Sequence, residues 1–225
     1  MKRSTGVVIV TMLIASILIA APANAEKNKK IKKASQTSSL LALCKDTKAV
    51  GHSPMRLPVP SIKRPHVNKT ITFKTNCGEI QIAADGVNAP LTVISMSYLA
   101  NKGYFDDSPC HRITTSGIFV LQCGDPTASG SGGPAWQVPD ENLPTGTGNI
   151  YPAGSVAMAN SGANTNGSQF FIVYEDTSMN PNYTIWGRVT KGLEIVKAIA
   201  KEGVVDGTSE GLPKQMIAIE RVRVR

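Results

Sequence analysis

Beyond residue 69 apolar and polar positions alternate in short runs, and turn residues between them divide the chain into strands. Thr70–Thr75 and Glu79–Ala83 flank Asn76-Cys77-Gly78, which predicts a hairpin. The period then becomes helical. Asn88 is placed to cap a helix starting Ala89-Pro90, with Val93, Ile94, Met96 or Ser97, Leu99 and Ala100 along one face and Gly103 at its end. Cys110–Asp125, CHRITTSGIFVLQCGD, reads strand, polar loop, strand, and Ala157–Tyr174, AMANSGANTNGSQFFIVY, repeats the scheme. Between them lie a Gly/Ser/Pro stretch, Thr127–Pro134, and an irregular segment to Gly148. Ser155–Asn160, Gln169–Tyr174, Thr184–Val189 and Gln215–Val224 read as further strands. Gly192–Lys201 reads as a second helix carrying Leu193, Val196, Ile199 and Ala200, with Gly203 at the stop position. The predicted class is mainly β: a closed antiparallel barrel of about eight strands, capped by two α-helices. Closure removes the exposed edges that short strands otherwise leave.

The hydropathy of the first residues describes a different object. Lys2 and Arg3 precede an apolar run, Val7–Ala21, and Ala23-Asn24-Ala25 forms a small-x-small cleavage site. The run is short of the ~20 residues needed to span a bilayer. Residues 1–25 are therefore expected to be a secretory signal peptide cleaved after Ala25, with a membrane-anchored form as the alternative, and the protein to be secreted or in the cell envelope. Residues 26–69 hold eleven Lys/Arg against two acids, whereas 70–225 hold eleven against fourteen. The basic character belongs to the arm, which argues against a nucleic-acid-binding domain. The arm reads as a flexible spacer that Pro54, Pro58, Pro60 and Pro65 keep extended; the alternative is electrostatic contact of Lys27–Lys33 with anionic envelope polymers or lipids.

Four cysteines after an export signal favour disulfides, and three connectivities are open. Cys110 and Cys123 flank a hairpin and can face each other across it; Cys44 and Cys77 would then pin the arm to the first hairpin. Cys110, His111 and Cys123 lack the close paired spacing of a structural zinc site, so no metal is expected. Gly207-Thr208-Ser209-Glu210-Gly211 fits G-x-S-x-G, but it lies in a polar loop without the strand and helix a nucleophile elbow requires. Gly130–Gly133 lacks the lysine and helix of a phosphate loop.

The candidate chemistry lies in the two central motifs. One guanidinium, several amides and an aromatic floor suit a groove for a neutral peptide rather than a hydrolytic centre. These motifs resemble the signature of the cyclophilins, the cyclosporin-binding peptidyl-prolyl cis/trans isomerases, over Thr70 to Val224 of a domain spanning 70–225; with its leader the chain resembles a secreted bacterial member. The resemblance implies that Arg112 is catalytic, that Gln122 orients it, and that Phe119, Val120, Phe171 and Met179 form the proline pocket. It further implies that Ala159 and Asn160, in Met158-Ala159-Asn160, grip the peptide, that Gln169 lies on the same groove, and that His111 is structural. The family usually has methionine at Val120. Ser178 stands where many eukaryotic members carry a groove tryptophan and Tyr183 where they carry a histidine, which predicts weak or no cyclosporin binding. Two extra residues fall within Thr114–Ile118. No cofactor is implied. The expected partners are proline-containing peptides and unfolded exported proteins, acted on by a monomer. The alternative function is a proline-peptide binding module or envelope scaffold in which catalysis is incidental.

Overall fold

The computed structural model describes residues 44–61 and 67–225; the leader, the lysine cluster and Pro65 lie outside them. The domain opens with the predicted hairpin, β1 (Lys69–Thr75) and β2 (Gly78–Ala84), in register from Lys69↔Ala84 to Thr75↔Gly78. Ile71 and Phe73 of β1 and Ile80 and Ile82 of β2 alternate into the core, as a half-buried hairpin requires.

Helix α1 (Pro90–Asn101) follows, then β3 (Ser108–Pro109), β4 (Arg112–Thr114), β5 (Val120–Cys123), β6 (Ser155–Met158), β7 (Phe170–Val173), β8 (Ile185–Lys191), helix α2 (Leu193–Glu202), β9 (Glu210–Gly211) and β10 (Ala218–Val224). One antiparallel sheet of ten strands runs β3-β10-β1-β2-β8-β6-β7-β5-β4-β9. The expected closed barrel of eight is recovered when 108–114 is taken as one strand interrupted at Cys110-His111. Its first part pairs with β10 and its second with β5, so the chain itself closes the curled sheet. β9 is then a two-residue addition outside β4. Both two-residue strands are too short to show a period, which is why alternation missed them.

Rings of Phe73, Phe105, Phe170 and Trp186 fill the barrel, with Phe73–Phe170 centroids 5.1 Å apart and Phe170–Trp186 5.9 Å apart. β7 is buried on both faces. Phe170 and Ile172 join the barrel core, while Phe171 and Val173 form a smaller outer cluster with Val120, Tyr151 and Ala157. That outer cluster underlies the candidate site.

Two expectations change. Asn88 does not cap α1: its Nδ2 donates to Asp85 Oδ2 at 2.7 Å. The cap comes from Glu141, whose carboxylate accepts the Leu91 and Thr92 N–H groups at 3.0 and 2.8 Å and the Thr92 hydroxyl at 2.8 Å. A carboxylate at a helix N-terminus satisfies otherwise orphaned donors and complements the dipole. The segment expected to be irregular thus lies across α1, where Trp136 Nε1 also donates to Ser95 Oγ at 3.0 Å, and this explains why α1 is buried on nearly every side.

Residues 44–57 of the arm are not a free spacer. Cys44 is bonded to Cys77 and Cys110 to Cys123. Lys45 N donates to Asn76 O at 2.9 Å, His52 N donates to Pro126 O at 2.8 Å, and Leu57 packs against the barrel core. A disulfide and scattered backbone bonds fix a segment whose composition alone predicts disorder.

Candidate active site

β4 and β5 pair with Arg112 opposite Gln122, which puts both side chains on one face of the sheet. Arg112 Nη1 donates to Gln122 Oε1 at 3.0 Å, Gln122 Nε2 donates to Gln169 Oε1 at 2.9 Å, and Gln169 Nε2 donates to the carbonyls of Gly130 and Gly132 at 3.0 and 2.9 Å. On its other side Arg112 Nε donates to Glu210 Oε1 at 2.8 Å. A guanidinium is planar and permanently charged, so two anchors on different nitrogens fix its plane.

Beside this row lies a cavity of about 220 Å³, lined by Arg112, Ile118, Val120, Gln122, Ala159, Asn160, Phe171, Met179 and Tyr183. Its floor is the outer cluster. The Phe171 and Tyr183 rings meet edge to face at 5.4 Å, and Tyr151 stands behind both at 6.3 and 6.2 Å. Tyr183 N donates to the Tyr151 hydroxyl at 3.0 Å, which fixes the loop carrying Tyr183. Asn160 is held through its side chain, with Nδ2 donating to Asn182 O at 2.8 Å. Its main-chain N–H and C=O have no partner among the described residues, so they are free for an extended peptide.

The structure therefore brings together every site residue expected from sequence except Phe119. That ring packs against the barrel core and the edge of Tyr174, centroids 5.9 Å apart, while its neighbours Ile118 and Val120 line the cavity. Consecutive strand residues point to opposite faces, and 118, 120 and 122 share the parity of the groove. The inserted turn is closed by Ile118 N donating to Ser116 O at 2.9 Å, with Gly117 at φ 74°. Thr114 supports it: its hydroxyl accepts Val120 N–H at 3.1 Å and its carbonyl accepts the Tyr174 hydroxyl at 2.6 Å. Ser178 is exposed and takes no part in the lining.

Two features escaped the sequence. A second, more polar cavity of about 320 Å³ shares Gln122, Ala159 and Asn160 with the first and is walled by Gln169, Gly130–Pro134, Trp136 and Thr165. The wall is organised by Asp125, which is wholly buried. Burial pushes this carboxyl up, but hydrogen bonds from Thr127, Gly132 and Gly130 outweigh that and hold it below the usual range. Only an acid followed by alternating Thr, Ser and Gly (Asp125-Pro-Thr-Ala-Ser-Gly-Ser-Gly) hinted at such a loop. His111 is buried, burial lowers its pKa, and the ring lines neither cavity. Ser209 of the G-x-S-x-G match accepts Thr115 N–H through its carbonyl at 2.8 Å, in a turn leading to β9 rather than a strand-to-helix elbow. No histidine, serine or cysteine lines the smaller cavity. The arrangement offers a cationic donor, free backbone groups and an apolar pit.

Residues 70–224 match the family model described as cyclophilin type peptidyl-prolyl cis-trans isomerase/CLD. The chain belongs to the cyclophilin family. This cyclophilin is 40% identical over 164 residues to a probable peptidyl-prolyl cis-trans isomerase B of Mycobacterium leprae, covering 68% of this chain and 56% of that protein. It is 35% identical over 162 residues to a peptidyl-prolyl cis-trans isomerase-like 1 of Emericella nidulans, covering 68% and 93%. The chain thus spans little more than half the length of its mycobacterial relatives. Among solved structures, a cyclophilin type isomerase of Cryptosporidium parvum superposes with TM-score 0.61 at 26% identity, covering 71% of this chain and 98% of that one. The same parasite protein was also solved in the presence of the dipeptide Ala-Pro, with TM-score 0.59. In this cyclophilin the cavity floor is Val120, Phe171, Met179 and Tyr183, and the lip is Arg112.

Proposed function

We propose that this cyclophilin accelerates cis/trans rotation about X–Pro bonds, and that its clients are exported proteins folding outside the cytoplasm. The observation carrying the reading is Arg112, held between Gln122 and Glu210 at the edge of a cavity of about 220 Å³ floored by Val120, Phe171, Met179 and Tyr183. The X–Pro barrier of ~18–20 kcal/mol comes from delocalisation of the nitrogen lone pair into the carbonyl, and no covalent bond need break to lower it. The prolyl ring sits in the pit formed by Val120, Phe171, Met179 and Tyr183, and the Asn160 main chain pairs with the peptide backbone. Arg112 donates a hydrogen bond to the nitrogen as it becomes pyramidal. A ~10⁵-fold acceleration then needs only ~7 kcal/mol of preferential transition-state binding. Gln122 orients Arg112, and Gln169 orients Gln122.

The leader pattern and the two disulfides support action in an oxidising compartment. Reading the secreted protein's N-terminus as Glu26 would meet the expectation of cleavage after Ala25. The decisive assay is protease-coupled isomerisation of an Ala-Pro peptide. Arg112→Ala should lose roughly 10²–10³-fold in kcat/KM, as removal of a single transition-state donor does elsewhere. A variant that folds and turns over at the wild-type rate would leave only the peptide-binding alternative.

A further inference from the structure

We propose that Glu210 is a positioning residue for the isomerase reaction, setting the plane of the Arg112 guanidinium from the side opposite Gln122. The inference rests on the isomerase reading above. Glu210 lies in β9, which pairs with the outer edge of β4 through Thr114↔Glu210 and Ile113↔Gly211. β4 is therefore flanked by two strands, and each sends one acceptor to Arg112: Gln122 Oε1 to Nη1 at 3.0 Å and Glu210 Oε1 to Nε at 2.8 Å. Gln122 alone would leave the fork free to swing about that single contact. With Nε also held, the guanidinium plane is fixed and its remaining N–H groups are left for a substrate at the cavity edge.

The backbone beneath Glu210 is braced for such a task. Thr115 N donates to Ser209 O at 2.8 Å, and the Thr208 hydroxyl lies 2.7 Å from Asp206 Oδ1 and 2.8 Å from Glu210 O. This gives the polar G-x-S-x-G stretch a role without a nucleophile. Stability does not explain the pair: the Glu210 side chain is 60% exposed, and exposed ion pairs contribute little to folding. The carboxylate needs no special condition to stay charged, because the Arg112 hydrogen bond holds it below the usual range.

The test is steady-state kinetics on an Ala-Pro peptide, resolved into kcat and KM, together with the NMR signal of the Arg112 Nε–H. Glu210→Ala should lower kcat about tenfold and leave KM within about twofold, since the oriented fork matters chiefly in the transition state. Glu210→Gln keeps an oxygen acceptor and should recover most of the loss. The Nε–H signal should weaken or shift upfield in Glu210→Ala and persist in Glu210→Gln. In an Arg112→Lys background, which has no Nε–H fork, Glu210→Ala should add almost nothing. The proposal is overturned if Glu210→Ala keeps the wild-type kcat, or if it costs the same in both backgrounds. If instead Arg112→Ala turns over at the wild-type rate, it is the isomerase reading that has failed.

Discussion

Asp125 is the residue whose replacement tests most directly how the groove wall is held. Its Oδ1 accepts Thr127 N–H at 2.7 Å and lies 2.7 Å from the Thr127 hydroxyl; its Oδ2 accepts Gly130 and Gly132 N–H at 2.7 and 3.0 Å. Oδ1 thus faces two donors and Oδ2 three, the third being the Ser129 hydroxyl at 3.4 Å. Asp125→Asn turns one oxygen into an amide NH₂; at Oδ2 that group meets the Gly130 and Gly132 N–H groups head-on, and at Oδ1 it meets the Thr127 N–H, while the Thr127 hydroxyl can turn to accept. One or two charge-assisted hydrogen bonds are lost, at ~1.5–3 kcal/mol each, so the variant should be destabilised by about 3 kcal/mol. For a domain of this size that is a fall in Tm of roughly 6–12 °C. Denaturant titration of wild type and variant at neutral pH measures the difference. The pH dependence has a fixed sign. A carboxyl held below its ordinary value contributes stability above the ordinary carboxylate pKa and loses it as pH falls through the depressed one. The gap between wild type and Asp125→Asn should therefore stay constant from neutrality to about pH 4 and narrow only below that. Activity should fall as well, because the Gly130 and Gly132 carbonyls that hold Gln169 ride on this loop. An Asn variant within about 0.5 kcal/mol of wild type would refute the account, since surface substitutions without such a role fall in that range.

Glu141→Ala removes the distant cap of α1 and should destabilise by about 1–2 kcal/mol in the same titration, with kcat/KM nearly unchanged. Replacing Cys44 and Cys77 by serine should lower stability by ~2–4 kcal/mol and open residues 44–57 to limited proteolysis, whereas an arm that remained protease-resistant would contradict its anchoring by this bond. Burial pushes the Tyr104 and Tyr174 hydroxyls up to about 12. Because both are raised, their contribution is complete below the ordinary tyrosine value and is lost as pH climbs through the folded one. Ultraviolet titration should show two late phenols, with unfolding setting in between pH 10 and 12. Cyclosporin should bind weakly, since Ser178 is exposed and offers the groove no aromatic surface; calorimetry giving a low-nanomolar Kd would contradict this.

The parts of the fold legible in the sequence were those with a period long enough to count. β1, β2 and β10 each run seven residues, and α2 carries Leu193, Val196, Ile199 and Ala200 at helical spacing between Gly192 and Gly203. Arg112, Gln122, Asn160 and Phe171 were legible through their motifs, because strand pairing preserves what motif spacing encodes. What stayed hidden was long-range chemistry without a local signature. Glu141 caps a helix 49 residues away, and Glu210 reaches Arg112 across 98. Asn88, sitting where a cap belongs, was the better local candidate, but Asp85 engages its side chain at 2.7 Å and Glu141 supplies the cap.

Phe119 shows the same limit within a single strand. Matching it to the pocket requires only the right distance from Gln122, but lining the pocket requires the right parity. The insertion within Thr114–Ile118 supplies Ile118, which occupies the groove-facing position beside Val120 and leaves Phe119 to the Tyr174 edge. The pit is therefore walled on this side by Ile118 and Val120, two branched aliphatic side chains, where the resemblance implied Phe119 beside Val120. Both side chains are stiff at χ1, so this wall adapts less to ring pucker and neighbouring residues than a methionine would. Selectivity for the residue beside proline should then depend on the polar second cavity, whose Gly130–Gly133 wall the Asp125 hydrogen bonds hold in place.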